Sequence, residues 1–114
     1  MHELSIAASI VELATEEAEK RHIEVVAIHL KLGALSGVVR EALEGSYELV
    51  AAGTPLQLAA LVIHEIPAVI YCPACHEPRE LPSIQAFLCP VCGGPPGEVL
   101  QGRDLQVTAL EVVS

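Results

Sequence analysis

The chain has 114 residues, which is long enough for one compact core with a small appendage and too short for two independent hydrophobic domains. Apolar residues make up 52% of the sequence, which excludes a disordered chain. Six basic and fifteen acidic residues give a formal charge of −9, so nucleic acids and anionic membrane surfaces would repel the protein. The composition therefore predicts a folded acidic protein that binds neither nucleic acid nor membrane.

The amino-terminal stretch lacks the pattern of an export signal or a membrane anchor. No cationic run precedes its apolar residues, and four glutamates interrupt any apolar run of bilayer length: Glu12, Glu16, Glu17 and Glu19. In a reducing compartment, cysteines remain thiols. We therefore expect a cytoplasmic protein whose four cysteines bind metal rather than form disulfides.

The first part of the chain predicts a helix followed by a strand. Between residues 4 and 18, apolar side chains recur at three- and four-residue steps, as in an amphipathic helix. This stripe consists of Leu4, Ala7, Val11, Ala14 and Ala18. Segment 23–32 is rich in β-branched residues and alternates, which indicates a half-buried strand. Its predicted buried side consists of Val26, Ile28, Leu30 and Leu32.

A second helix and two further strands follow. Ser36-Gly37 is the predicted cap of this helix, and Gly53 and Pro55 are expected to end it. Its apolar face consists of Val39, Leu43, Tyr47 and Val50. Residues 57–66 predict a second strand, and alternation from Asp104 predicts a last strand that returns to the same sheet. The expected fold class is α/β, with two helices packed on a three-stranded sheet.

Segment 67–97 differs from the rest of the chain in composition. Seven of the eight prolines lie between Pro67 and Pro96, and no periodic element spans the segment. Such a stretch buries too little apolar surface to order itself, so something else must hold it together. We therefore expect one α/β domain made of residues 1–66 and 98–114, and an inserted zinc-ribbon-like domain made of residues 67–97.

Two CxxC pairs mark the inserted segment as a metal site. Thirteen residues separate Cys72 and Cys75 from Cys89 and Cys92, a spacing typical of four-thiolate zinc ribbons. Gly93 can adopt a positive φ and direct backbone N–H groups toward sulfur. Four thiolates leave no open coordination position, so the expected role is structural. Rubredoxin-type iron would use the same ligands, although the scarcity of aromatic residues favours zinc. Two disulfides or free buried thiols are a further alternative.

The amino terminus carries donors that can chelate a metal. The free amine of Met1 and the amide nitrogen of His2 close one chelate ring, and that amide closes a second, fused ring with Nδ1 of the His2 imidazole. With a fourth donor from Glu3 or from outside, the arrangement is square-planar and suits Ni(II) or Cu(II). Taken alone the pattern is weak, and a solvent-exposed His2 is the simpler interpretation.

The other histidines show no ligand spacing in the sequence. His22, His29, His64 and His76 are scattered along the chain. We expect His29 and His64 on the exposed side of the sheet. His76 follows the first cysteine pair and is expected to be a solvated loop residue, with an accessory metal ligand as the alternative.

Over nearly its whole length, the sequence resembles the HypA/HybF family of hydrogenase nickel incorporation proteins. The resemblance begins with the MHELS start at Met1 to Ser5 and continues through the LSGV segment at Leu35 to Val38. It also covers the GTPL segment at Gly53 to Leu56, both CxxC pairs, and the closing segment Gly102 to Leu105.

This resemblance implies a nickel metallochaperone. Ni(II) would be the transferred cargo, bound by His2 with the Met1 amine, and Glu3 would serve nickel binding or partner recognition. Zn(II) would be structural and held by four thiolates: Cys72, Cys75, Cys89 and Cys92. The implied partners are the GTPase HypB and the large subunit of a [NiFe]-hydrogenase. A role with urease maturation proteins and the choice between monomer and homodimer stay open.

The residues themselves do not predict an enzyme. The sequence has no phosphate-binding glycine-rich loop, no paired carboxylates and no nucleophile-with-base arrangement. Two alternative functions are a zinc-ribbon protein-interaction adaptor and a rubredoxin-like electron carrier. The acidic balance disfavours an adaptor in transcription or translation, and a red iron centre would identify the electron carrier.

Overall fold

The computed structural model describes residues 2–113, which form two helices and six strands. In chain order these are α1 (His2–Arg21), β1 (Glu24–Gly33), α2 (Arg40–Ala51), β2 (Ala60–Ile66), β3 (Val69–Cys72), β4 (Glu77–Glu80), β5 (Val99–Gln101) and β6 (Leu105–Val113). The strands form two three-stranded sheets, in the orders β2-β1-β6 and β4-β3-β5. The predicted α/β class is therefore confirmed, and the last strand does return to the sheet of β1. Neither helix within residues 2–113 combines the length and apolar composition that a bilayer-spanning segment requires.

The chain divides into two compact units. The first comprises the described residues up to Leu30, Val38–His64, and those from Gln106 onward, and the second comprises Lys31–Gly37 and Glu65–Leu105. The second unit extends beyond the predicted inserted domain, because residues 31–37 and 98–105 also belong to it. That residues 67–97 form a domain of their own stays a prediction.

α1 has one buried face and ends in a defined turn. Its buried side chains recur at three- and four-residue steps, as predicted: Ala7, Ile10, Val11 and Ala14. Leu4, at the start of the predicted stripe, is exposed. After the helix, His22 adopts a φ of 53°, and the Ile23 N–H donates to the Ala18 carbonyl over 3.1 Å. This is the hydrogen bond of a Schellman turn, which ends the helix.

α2 begins without the predicted Ser36-Gly37 cap. The helix starts at Arg40, and Val39 occupies its N-cap without a side-chain cap hydrogen bond. The Ser36 N–H donates instead to the Gly33 carbonyl over 3.0 Å, in the turn that follows β1. The predicted cap is wrong, because Ser36 belongs to this earlier turn.

The loop between α2 and β2 replaces the first residues of the predicted second strand. Tyr47 is buried in α2, its hydroxyl donates to the Ala59 carbonyl over 3.0 Å, and burial raises its pKa. Two turns precede the strand, because the Thr54 and Leu56 carbonyls accept hydrogen bonds from the N–H groups of Gln57 and Ala59. The strand therefore begins at Ala60 rather than at residue 57.

The burial of β1 departs from simple alternation. Ile28, Leu30 and Leu32 are buried as predicted, but Val26 is 37% exposed while Val25 and Ala27 are buried. The prediction that Val26 lies on the buried side is wrong, because two consecutive residues, Ala27 and Ile28, are both buried and shift the alternation.

The second unit contains strands where no periodic element was predicted. β3 pairs antiparallel with β4 and with β5. Pro78 is compatible with β4 because that strand lies at the edge of its sheet, where a missing N–H disrupts no interior ladder. The buried core of this unit is small and consists of Ala68, Ile70, Cys72, Leu81 and Cys89.

Two backbone segments of the second unit meet at Gly33. The Gly33 N–H donates to the Asp104 carbonyl over 2.9 Å, and the Leu35 N–H donates to the Gly102 carbonyl over 2.7 Å. A Cβ atom on Gly33 would lie 2.2 Å from the Gly102 carbonyl oxygen. Only glycine leaves space for this approach, because the obstacle is backbone and cannot rotate away.

Replacing Gly33 by alanine should lower the free energy of unfolding by about 1–3 kcal/mol, since the added methyl forces the backbones apart. Urea unfolding followed by far-UV circular dichroism measures the change. The matched control is Gly45→Ala in α2, where a Cβ would meet nothing within 4 Å. This control should raise the free energy of unfolding by ~1 kcal/mol. Parent-like stability of Gly33→Ala would contradict the close approach.

Candidate functional site

The two CxxC pairs lie at defined places in the second unit. Cys72 is the last residue of β3, and Cys75 lies in the turn that leads to β4. The antiparallel register, with Cys72 opposite Glu77, closes this turn as a hairpin. Cys89 and Cys92 lie between β4 and β5. A short hairpin and a loop therefore present one cysteine pair each.

All four cysteine sulfurs converge on one point. Their Sγ atoms lie within 4.8 Å of one another. The Cys72 and Cys92 sulfurs are 3.5 Å apart, and those of Cys75 and Cys89 are 3.9 Å apart. A tetrahedral ion with metal–sulfur bonds of about 2.3 Å requires sulfur–sulfur separations of about 3.8 Å. The cluster has the dimensions of a four-thiolate metal site.

Both cysteine pairs are followed by the same backbone turn. The residue after each pair has a positive φ, 58° at His76 and 73° at Gly93. Each donates its N–H to the carbonyl of the first cysteine, over 2.8 Å to Cys72 and 2.9 Å to Cys89. The predicted positive φ of Gly93 is thus confirmed, and the exposed His76 adopts the equivalent conformation in the other turn.

Backbone N–H groups point at the sulfurs. Cys75 N–H donates to Cys72 Sγ over 3.4 Å, and Cys92 N–H donates to Cys89 Sγ over 3.5 Å. Gly94 N–H adds a contact of 3.4 Å to Cys92 Sγ. Such donors favour the thiolate over the thiol. The turns therefore orient the ligands and favour their charged form.

The thiols do not share negative charge equally. The backbone N–H of Cys92 lowers the pKa of Cys89 to about 6. The hydrogen bond with the Cys92 side chain raises the pKa of Cys75 to about 12. The N–H groups of the second turn therefore favour the thiolate form at Cys89.

Arg79 lies beside the cysteine cluster, although it was not predicted to be a site residue. Its guanidinium lies beside the Cys75 side chain, which raises the pKa of Arg79, and its Nη1 atom lies 2.9 Å from Oε2 of Glu77. The Nε atom of Arg79 is buried and has no hydrogen-bond partner among the described residues. A cationic group with an unpaired donor is suited to a place beside thiolates. The signal was present, because Arg79 is the only lysine or arginine between Cys72 and Cys92.

These observations fit a soft, tetrahedral ion held by thiolates alone. Cys72 and Cys89 are buried, and Cys92 is exposed. Among the described residues, the four cysteines are the potential ligands at this point, and His76 does not belong to the group. Zinc and iron both accept such a donor set.

The predicted nickel ligands lie at the start of α1, and Met1 lies outside the described residues. His2 is exposed in the first turn of α1. Glu3 is half-buried, and its Oε2 atom accepts a hydrogen bond from the Val39 N–H over 3.3 Å. This hydrogen bond lowers the pKa of Glu3. Glu3 thus supplies the capping interaction at the start of α2 that Ser36 does not make.

The positive φ of Gly93 can be tested separately from steric effects, because a Cβ there would meet nothing within 4 Å. Gly93→Ala should lower the free energy of unfolding by about 1–2 kcal/mol, since alanine disfavours the left-handed region. Gly93→Asn should cost less, because asparagine tolerates that region better. Urea unfolding of the two variants measures the difference. Equal losses would mean that the backbone conformation is not the constraint.

The family model described as "Hydrogenase/urease nickel incorporation, metallochaperone, hypA" matches residues 1–112. A hydrogenase maturation factor HypA from Chloroflexus aggregans is 46% identical over 112 residues, which cover 97% of this chain and 98% of the relative. The corresponding protein from a Picosynechococcus strain is 35% identical over 114 residues, covering 99% and 100% of the two chains.

Two solved structures share the fold. The solution structure of the Ni metallochaperone HypA from Helicobacter pylori is similar with a TM-score of 0.63 and 18% identity, covering 98% of this chain and 97% of that one. A second structure, described as the solution structure of HypA protein, gives a TM-score of 0.71 and 20% identity over 99% and 97% of the chains. The sequence matches go further than the fold: the chain belongs to the HypA family, whose members are metallochaperones for nickel incorporation in hydrogenase maturation and not enzymes.

Proposed function

We propose that this protein binds Ni(II) at its amino terminus and delivers it, with the partner GTPase HypB, to the large subunit of a [NiFe]-hydrogenase. His2 would be the central ligand, with the Met1 amine and Glu3 as further donors. Urease maturation proteins are further candidate recipients. The proposed place of action is the reducing cytoplasm, where the cysteines remain thiols.

The start of α1 at His2 is the observation that supports a site at this end of the chain. The first N–H groups of a helix have no intrahelical acceptor, so the amide nitrogens of His2 and Glu3 are not committed to the helix. The His2 side chain is exposed and accessible to an incoming ion. Square-planar nickel accepts such nitrogen donors.

Glu3 is the ambiguous member of this set. Its carboxylate already accepts the Val39 N–H over 3.3 Å, so it has a structural role even without a metal. A carboxylate has two oxygens and several lone pairs, so the same group can accept this hydrogen bond and still bind an ion. We assign Glu3 as an auxiliary ligand held in place by the start of α2.

For the four-cysteine cluster we propose a structural Zn(II). Cys72, Cys75, Cys89 and Cys92 would hold the ion, which would neutralise the thiolates and join the hairpin to the second cysteine loop. Structural zinc contributes ~10–16 kcal/mol in small zinc peptides, more than a small apolar core can supply. Arg79 would balance the remaining negative charge through its guanidinium.

Removing the zinc should unfold the second unit before the first. Hydrogen–deuterium exchange, measured by mass spectrometry before and after treatment with a thiol-reactive mercurial and a chelator, reports this locally. We expect exchange to rise in β3 and β4 while α1 and α2 keep their protection. Unchanged protection of β3 after complete metal loss would contradict a structural ion. Visible absorption of the untreated protein would identify iron instead.

Nickel binding should require both His2 and an unextended amino terminus. The untagged parent, His2→Ala and a chain extended by one amino-terminal glycine are loaded with Ni²⁺, desalted and analysed for metal by mass spectrometry. We expect both changes to remove one tightly held nickel per chain and to leave the zinc, because both disrupt the fused chelate rings. His22→Asn removes an exposed histidine elsewhere and should behave like the parent.

Glu3→Gln separates the two roles of Glu3 within the same experiment. The amide oxygen of glutamine can still accept the Val39 N–H, so the fold should persist while a charged nickel donor is lost. Nickel retained equally by the parent and His2→Ala would refute the amino-terminal site.

A zinc-ribbon interaction adaptor is the second candidate function, and one observation favours it. The loop of the second cysteine pair exposes large apolar side chains: Ile84, Phe87, Leu88 and Val91. Exposed apolar residues that cluster in one segment are typical of protein contacts. Contact with a partner is also compatible with nickel delivery, so the metal analysis above separates the candidates.

A further inference from the structure

Three polar side chains meet on the sheet of the first unit. His29 lies on β1, His64 on β2 and Glu111 on β6. Because the strand order is β2-β1-β6, His29 occupies the central strand, with one partner on either side. The His29 side chain is 21% exposed, that of Glu111 is 59% exposed, and His64 is exposed. An ion from solution can therefore reach the group.

The two imidazoles lie edge to edge. His29 Nδ1 is 3.0 Å from His64 Nε2, the ring centroids are 5.3 Å apart, and the ring planes differ by 14°. The distance between the ring centroids is close to the nitrogen–nitrogen distance plus the distance from centroid to nitrogen in each ring. Both nitrogens therefore lie near the line that joins the centroids. The rings are therefore nearly coplanar and joined by a hydrogen bond, with a nitrogen of each ring aimed at the other.

Glu111 fixes the orientation of His29. Its carboxylate Oε1 accepts a hydrogen bond from His29 Nε2. A neutral imidazole that carries its proton on Nε2 has a free lone pair on Nδ1. Metal-binding histidines commonly donate their second ring N–H to a carboxylate in this way, which orients the ring and raises its basicity.

We propose that His29 Nδ1 and His64 Nε2 are two adjacent ligands for a divalent first-row cation such as Ni²⁺, with Glu111 positioning His29. The two nitrogens point at each other along one line, so an ion bound on the His29 Nδ1 lone pair takes the place that His64 Nε2 now occupies. The exposed His64 side chain then turns so that its Nε2 binds the ion from the side. The ion replaces the hydrogen bond between the rings. The proton on His64 Nε2 transfers to its Nδ1 by exchange with water, so each imidazole stays neutral.

This site is separate from the amino-terminal and cysteine sites. It offers two protein ligands and leaves the remaining coordination positions to water, so an ion there exchanges readily. Imidazole donors suit nickel, copper and zinc better than magnesium or calcium. The site would give the chain a second, labile position for the class of metal that its family handles.

The test uses the full chain in the His2→Ala background, so that the amino-terminal site does not contribute. Ni²⁺ alone is titrated into the zinc-loaded protein, with affinity measured by calorimetry and location by paramagnetic broadening of amide signals in NMR spectra. We expect broadening centred on residues 29, 64 and 111. His64→Gln should remove this broadening and lower the affinity at least tenfold, and Glu111→Gln should lower it about 10–100-fold.

His22→Asn is the matched control, because it removes an exposed histidine of the same unit from a left-handed position that asparagine tolerates. It should leave both measurements unchanged. NMR dispersion verifies the fold of every variant, and His29→Gln serves as a second ligand deletion. Nickel affinity and broadening that persist in His64→Gln would overturn the site, whatever the outcome at His2. Loss in His64→Gln with unchanged affinity in Glu111→Gln would overturn the role of Glu111.

Discussion

Convergence of four cysteine sulfurs is the constraint on which the second unit depends. A cluster of five buried residues packs in that unit, and two of them, Cys72 and Cys89, are also potential metal ligands. Deprotonated thiolates in such a place are unfavourable unless a cation or hydrogen-bond donors compensate for their charge. The N–H groups of the two turns and the guanidinium of Arg79 supply part of this compensation. Binding of the proposed ion and folding of the unit would consequently be one process.

The predictable parts of the structure are those set by neighbours in sequence. The stripe through Ala7, Val11 and Ala14 and the spacing of the CxxC pairs required only helical periodicity and ligand chemistry. The errors occurred where distant residues decide. Ser36 is used by the turn after β1, and Glu3, far away in sequence, contacts the start of α2 instead. In β1, the buried side changes from odd-numbered to even-numbered positions because Ala27 and Ile28 are both buried. Strict alternation of buried and exposed residues does not predict such a change.

The candidate metal sites also differ in whether their ligands are neighbours in the sequence. Adjacent atoms of one chain end form the proposed amino-terminal chelate, so sequence alone was sufficient to suggest it. His64 and Glu111 lie 35 and 82 residues after His29 in the sequence. Only the order of β2, β1 and β6 in the sheet brings these three residues together. The sequence predicts both histidines on the exposed side of the sheet but contains no spacing that pairs them. In the structure His64 is exposed, and His29 on the central strand is partly covered.

The small sheet of the second unit has two edge strands that are poorly suited to pairing with a strand of another chain. β4 lies at one edge and carries Pro78, which has no N–H, between charged residues on either side. β5, at the other edge, spans only three residues. Long, flat and apolar edges promote pairing between copies, and short strands, charge and proline prevent it. The exposed apolar side chains of the cysteine loop can thus contact a partner without the edge strands of this small sheet nucleating aggregates.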